Sequence, residues 1–208
     1  MLKGIIFDFD GVIADSVQVK TDAFSFIYKP YGEDIVKKVI NHHIENGGVS
    51  RFEKIKFYHK NFLNIPISIN DISKLADEFS KIVVKKVVAS PYVPGVLDYI
   101  KKSYEKYKLF ISTGTPTDEM KKILKLRKIN KYFTNVYGSP ETKITHINKI
   151  QLKYKLTSNE LKFYGDSYSD FYAAKDANIN FILIENQHNN KLSSNFDGES
   201  IDNFRKLL

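Results

Sequence analysis

The chain has 208 residues, 42% of them hydrophobic and 27% charged, enough to bury one large core with or without a smaller insert. Cysteine is absent, which excludes disulfides, thiol nucleophiles and thiolate metal sites, so any metal must be held by oxygen or imidazole. The formal net charge of +8 comes from lysines spread over helical stretches such as Lys37-Lys38, Lys101-Lys102 and Lys121-Lys122, without the arginine–aromatic clusters of nucleic-acid grooves.

The opening apolar run is broken at Asp8, too early for a secretory leader, and no stretch has the length of a membrane span. Even Ile82-Val83-Val84 runs into Lys85 and Lys86. These features predict a cytoplasmic protein that works without a membrane or nucleic acid.

The first element is an apolar strand, Gly4 to Phe7, that leads into Asp8-Phe9-Asp10-Gly11. Side chains alternate along an extended chain, so Asp8 and Asp10 are expected on one side, roughly 6–7 Å apart. Two carboxylates so placed can divide nucleophilic and proton-transfer work on one ligand; an ordinary acidic turn accounts for the same residues structurally.

Residues 16–89 then read as successive helices. In Arg51 to Leu63, Phe52, Ile55, Tyr58 and Phe62 share a stripe; in Asp71 to Val88, Ile72, Leu75, Ala76, Phe79, Ile82 and Val83 do so. Both stripes are read as core. Ser90-Pro91-Tyr92-Val93-Pro94-Gly95 forms a stiff return from this helical block.

Further apolar strands follow at Leu109 to Ser112, Asn135 to Tyr137, Leu161 to Tyr164 and Phe181 to Ile184, with helices between. That alternation predicts a parallel sheet covered on both faces, with ligands at the carboxyl ends of its strands. Polar residues stand just after three of these strands. Thr113-Gly114-Thr115-Pro116 offers a hydroxyl, a close backbone approach and a helix start, with Thr115 expected as N-cap and Pro116 as first helical residue. Gly138-Ser139-Pro140-Glu141-Thr142-Lys143 repeats the pattern with Ser139 as expected cap. It places Lys143 in a first helical turn, where a cation opposes the helix dipole. Gly165-Asp166-Ser167-Tyr168-Ser169-Asp170 adds two more carboxylates. Four acids at one sheet edge repel one another, and a divalent cation with oxygen ligands, Mg²⁺ above all, relieves that repulsion.

These motifs, in this order over nearly the whole chain, resemble those of the haloacid dehalogenase superfamily of phosphotransferases. The resemblance implies an α/β fold: a Rossmann-like three-layer sandwich with a central parallel sheet, formed by residues 1–15 and 90–208, and an inserted all-helical cap of the first type over 16–89. It implies that Asp8 is the nucleophile forming an aspartyl-phosphate and that Asp10 is the acid–base group. Thr113 and the Gly114 N–H would hold the phosphoryl group, Lys143 would neutralise it, and Ser112 is the alternative to Thr113. Asp8, the Asp10 carbonyl and Asp166 would bind Mg²⁺, with Asp170 supporting that shell.

Within the superfamily the chain looks most like phosphoglycolate-type phosphatases and β-phosphoglucomutases. Gly48-Val49-Ser50-Arg51 resembles the mutases' substrate loop, which makes Arg51 a candidate anion ligand; pairing with Glu53 or solvent is the structural alternative. Lys20 stands where the mutases carry a gating histidine, and is itself expected to face solvent. The resemblance therefore implies a phosphatase acting on a small phosphorylated metabolite, a sugar phosphate or organic acid phosphate, as a monomer or weak dimer, with a phosphomutase as the alternative. His42, His43, His59, His146 and His188 have no metal-ligand spacing and receive no role.

Overall fold

In the computed structural model, which describes residues 1–208, the five expected strands pair in parallel and a sixth, two-residue strand extends one edge. The strands are β1 (Gly4–Phe7), β2 (Lys108–Pro116), β3 (Asn135–Ser139), β4 (Leu161–Gly165), β5 (Asn180–Ile184) and β6 (Ser200–Ile201). Their order is β3-β2-β1-β4-β5-β6. After β1 the chain builds outward through β2 and β3, then returns to the other side of β1 for β4 to β6. The order reverses at β1, and a crevice opens there at the carboxyl ends of the strands.

Burial on both faces explains why the strands read as continuous apolar runs. Ile5, Phe7, Leu109, Ile111, Tyr164 and Ile182 pack on one side, beneath helices α5 (Val96–Ser103) and α6 (Thr117–Leu126). Ile6, Phe110, Phe163, Phe181 and Leu183 pack on the other, beneath α7 (Lys143–Tyr154) and α8 (Tyr168–Asp176). Phe7 stacks on Tyr164 with ring centroids 5.4 Å apart, so the strand that carries the acidic motif is anchored in an aromatic core.

An inserted helical cap follows β1: α1 (Val17–Tyr28), α2 (Glu33–Glu45), α3 (Arg51–Tyr58) and α4 (Ile69–Ala89). Its centre is aromatic. Phe24 meets Phe79 at 4.5 Å and Tyr58 at 5.6 Å, and Tyr28 meets Tyr58 at 5.3 Å. The return from cap to sheet is fastened by Arg127, which donates to the carbonyls of Val87, Val88 and Ser90 at 2.8–3.0 Å. Its guanidinium also lies 4.0 Å above the Tyr92 ring. The carbonyls left free at the end of α4 are thereby satisfied from the core side.

Several local expectations are corrected. Strand β2 runs on to Pro116, because Pro116 pairs with Ser139 after a register shift; α6 therefore starts at Thr117, with Pro116 rather than Thr115 in the N-cap position. Ser139 ends β3, and the cap of α7 is Thr142, whose hydroxyl accepts from the Thr145 N–H. The helix expected over 51–63 is regular only to Tyr58. It widens into a π-turn at His59–Leu63 and stops at left-handed Asn64. Strand alternation ends at Phe7, so it does not set the direction of Asp10; the chain bends at Phe9, and Asp10 bridges to Ala14.

Candidate active site

Asp8 is the first residue beyond β1, and its N–H still donates to the Tyr164 carbonyl at 2.9 Å, continuing the ladder with β4. It shares parity with Ile6, which faces α7 and α8, and both helices reach it. Lys143, the first residue of α7, donates to the Asp8 carboxylate at 2.7 Å and to Asp170 of α8 at 2.5 Å. Lys143 and Asp170 are 5% and 0% exposed. The energetic conflict of a lysine at a helix N-terminus is thus offset by two buried carboxylates. Asp170 is also the third helical residue of a capping box, accepting from the N–H and hydroxyl of Ser167 at 3.1 and 2.5 Å.

Asp166, just past β4, brings its carboxylate into the same group. One oxygen each from Asp8, Asp166 and Asp170 lie within 4.8 Å of one another. Asn186 donates to the Asp166 side chain at 3.1 Å, and Asn189 holds its carbonyl at 2.8 Å. Neither asparagine stands out in the sequence.

The charge balance of this cluster is incomplete. Burial pushes the Asp8 carboxyl up to about 6; Lys143 opposes the rise, and Asp170 and Asp10 add to it. Burial, then Asp8 and Asp170, push Asp166 well above the usual carboxylate range. Burial works against the Lys143 ammonium, but Asp170 and Asp8 outweigh it and hold its proton more tightly than usual. One ammonium faces three carboxylates, so the cluster has room for more positive charge. The Asp10 carbonyl accepts no hydrogen bond. An oxygen-only donor set of this kind fits a hard divalent cation.

Asp10 points elsewhere. Its carboxylate accepts from Ser16 at 2.6 Å and from the Lys20 ammonium, which also donates to Thr115 at 2.7 Å. Lys20 is therefore not the solvent-facing residue expected: its side chain is 17% exposed, because the start of α1 packs down on the strand ends. Only its spacing from Asp10, across a tight turn into a helix, hinted at this.

Asp8, Asp10, Thr113, Gly114, Arg51 and Asp166 all line one cavity of about 430 Å³ between cap and sheet. Lys143 and Asp170 sit beneath its floor, bonded to Asp8 as described. Thr113 lines the cavity, its hydroxyl accepting from the Thr115 N–H at 3.2 Å, whereas the Ser112 hydroxyl is tied to buried His146 at 2.9 Å. His146, given no role from sequence, also contacts the Gly138 carbonyl at 3.2 Å and so links β2, β3 and α7. Burial lowers its pKa to about 4, keeping it neutral.

The cap is seated on this site. A side chain at Gly48, which has φ +74°, would come within 2.5 Å of the Lys143 ammonium, and one at Gly114 within 2.3 Å of the Gly48 carbonyl. Two glycines therefore let the loop before α3 touch the strand ends. Arg51, the first residue of α3, is 4% exposed and grips Glu119 of α6 with both terminal nitrogens, at 3.0 and 2.5 Å. Ser80 of α4 bonds to both partners, and Phe79 lies 4.5 Å below the guanidinium. The pairing with Glu53 is not formed.

Known proteins share this fold. The chain is 25% identical over 193 residues to a phosphorylated carbohydrates phosphatase of Thermotoga maritima, covering 87% of this chain and 84% of that one. Its fold resembles the crystal structure of β-phosphoglucomutase from Clostridium difficile, with TM-score 0.80, 18% identity and coverage of 100% and 94% of the two chains. A predicted phosphoglycolate phosphatase from Haemophilus somnus superposes with TM-score 0.74, 18% identity and 99% and 96% coverage. The family model for haloacid dehalogenase-like hydrolases matches residues 5–184, from within β1 to the end of β5, and the chain belongs to that family.

Proposed function

We propose that the chain is a Mg²⁺-dependent phosphomonoesterase that hydrolyses a small phosphorylated metabolite, a sugar phosphate or organic acid phosphate, through an aspartyl-phosphate on Asp8. The observation that carries the reading is the separate pairing of two carboxylates on one cavity: Asp8 with Lys143, and Asp10 with Lys20. Residues 1–15 and 90–208 act as the catalytic core and 16–89 as the cap domain.

An Asp8 carboxylate oxygen attacks phosphorus and the ester P–O bond breaks, while Asp10 delivers a proton to the departing oxygen. Water then attacks the acyl phosphate, giving its proton to Asp10, and inorganic phosphate leaves with Asp8 regenerated. Acid–base help of this kind is worth roughly 10²–10⁴-fold. Thr113 and the Gly114 N–H orient the phosphoryl oxygens, and Lys143 offsets their charge. Asp8, Asp166 and the Asp10 carbonyl would hold Mg²⁺, which supplies electrophilic neutralisation of the phosphoryl group; Asp170, bonded to Lys143 and Ser167, would support that shell. Arg51 is proposed as an anion ligand that exchanges Glu119 for substrate.

A phosphomutase of the β-phosphoglucomutase type is the second reading, favoured by the Gly48-Val49-Ser50-Arg51 loop lying against the strand ends. The test is release of inorganic phosphate from p-nitrophenyl phosphate and from sugar phosphates, with Mg²⁺ and with EDTA. Turnover that stops with EDTA, and that Asp8→Asn abolishes without loss of fold, is expected. Full activity in Asp8→Asn overturns the covalent route, and isomerised sugar phosphate without free phosphate favours the mutase.

A further inference from the structure

Five cations sit on or beneath the cavity wall between cap and sheet, and four have carboxylate partners. Lys143 is taken by Asp8 and Asp170, Lys20 by Asp10, Arg51 by Glu119, and Lys191 by Glu45. The fifth, Lys54, lines the cavity from α3, is 2% exposed and makes no ion pair. Its ammonium nitrogen reaches only His43, at 2.9 Å to Nδ1 and 3.3 Å to the carbonyl, and lies 5.9 Å from the centre of the Phe24 ring. A buried cation without a counter-ion is costly, and lysine is almost never fully buried unless paired.

We propose that Lys54, steadied by His43, is the subsite for a second anionic group of the substrate, so that the enzyme selects phosphomonoesters bearing a further carboxylate or phosphate. This deepens the phosphatase reading of the same cavity and rests on it. The reacting phosphoryl group belongs at Asp8 and Thr113, on the sheet side; Lys54 belongs to the cap side, with Phe24 and Phe79 as the apolar wall beside it. The ligand supplies the counter-charge the protein omits. Burial, reinforced by the charges of Lys20 and Lys143, holds the Lys54 pKa well below its ordinary value, and a nearby anion would offset both effects. Arg51 differs in that a ligand must displace Glu119 to reach it.

The experiment compares specificity constants for two matched pairs on the full chain with Mg²⁺: 3-phosphoglycerate against glycerol 3-phosphate, and fructose 1,6-bisphosphate against fructose 6-phosphate. A charge-assisted contact predicts a preference of roughly ten- to a hundredfold for the doubly anionic member. Preference confined to the first pair identifies a carboxylate, to the second a phosphate. In Lys54→Met, which keeps side-chain volume, the preference should fall to within about threefold, chiefly through KM, with Lys54→Arg restoring part of it. Absence of preference in the wild type, or its survival in Lys54→Met, overturns the proposal. If nothing in the panel turns over, including p-nitrophenyl phosphate, the phosphatase reading fails. Calorimetric binding of the same pairs to Asp8→Asn, with and without Lys54→Met, then decides Lys54 separately: a Kd preference that depends on Lys54 supports it, and equal or absent binding refutes it.

Discussion

Glu119→Gln tests whether the cap is clasped to the sheet by charge. The Arg51 and Glu119 side chains are 4% and 10% exposed and meet through two nitrogen–oxygen contacts, with Ser80 bonded to both. Removing one partner of a buried pair costs about 3–5 kcal/mol, mostly because the other charge stays buried alone. Glutamine keeps the shape and one acceptor, so Glu119→Gln should lie at the low end, about 3 kcal/mol. Arg51→Met also removes the charge, and the double variant should recover much of the loss, giving a coupling of about 1–3 kcal/mol. Urea unfolding of the four proteins at fixed pH and ionic strength measures this. Costs that add within about 0.5 kcal/mol would refute the clasp. The same variants report on Arg51 as a ligand. If substrate displaces Glu119, Glu119→Gln lowers KM; if Arg51 serves only the clasp, KM does not fall.

Lys20→Met should lower kcat about ten- to a hundredfold with little change in KM, since it removes the cation that holds Asp10 while leaving the phosphate-holding groups in place, and Lys20→Arg should recover part of the loss; a change in KM alone would place Lys20 in substrate binding instead. In EDTA, Asp8 should make the folded chain more stable as pH falls, because its carboxyl is raised from 3.8 to about 6 and binds a proton more tightly folded than unfolded. Between about pH 7.5 and about pH 5 that contribution is about 1.4 kcal/mol, read as the difference between wild type and Asp8→Asn so that the opposing effect of His146 cancels, and saturating Mg²⁺ should suppress it; a flat or reversed difference refutes the charge deficit. Arg127→Ala should cost about 1.5–3 kcal/mol and speed proteolytic cleavage near residues 87–92, as three carbonyls lose a charged donor; unchanged cleavage would show that the prolines alone hold the return.

The sheet was legible because parallel strands buried on both faces must be apolar throughout, as Ile5-Ile6-Phe7 and Phe181-Ile182-Leu183-Ile184 are. Strand β6 was not, since Ser200 and Ile201 are too few to carry a pattern. Helices α6 and α7 start later than their local signals indicate, for a common reason. Thr-Pro and Ser-Pro resemble helix caps locally, but here strand pairing between Pro116 and Ser139 extends both strands through those residues, a long-range contact that no local signal contains. The motif residues converge because strand ends define one edge, so topology does the gathering once the strands are known.

What the sequence could not show is which charge neutralises which. Lys20, Lys54, Arg51 and Glu119 are ordinary surface-type residues among 32 basic and 24 acidic ones, and their meaning depends on how the cap sits. The outcome is a division of labour. Asp8 is paired by a lysine of the sheet-bound α7, in a cluster that stays buried and short of positive charge. Asp10 is paired by a lysine of α1, the first helix of the cap, only ten residues along the chain. On the reading proposed above, the nucleophile is set by the rigid core, while the acid–base group is set by the segment that carries the cap. Seating the cap therefore adjusts proton transfer without disturbing the attacking carboxylate. A chain that merely bound phosphate would not require its two aspartates to be held by separate cations on separate elements.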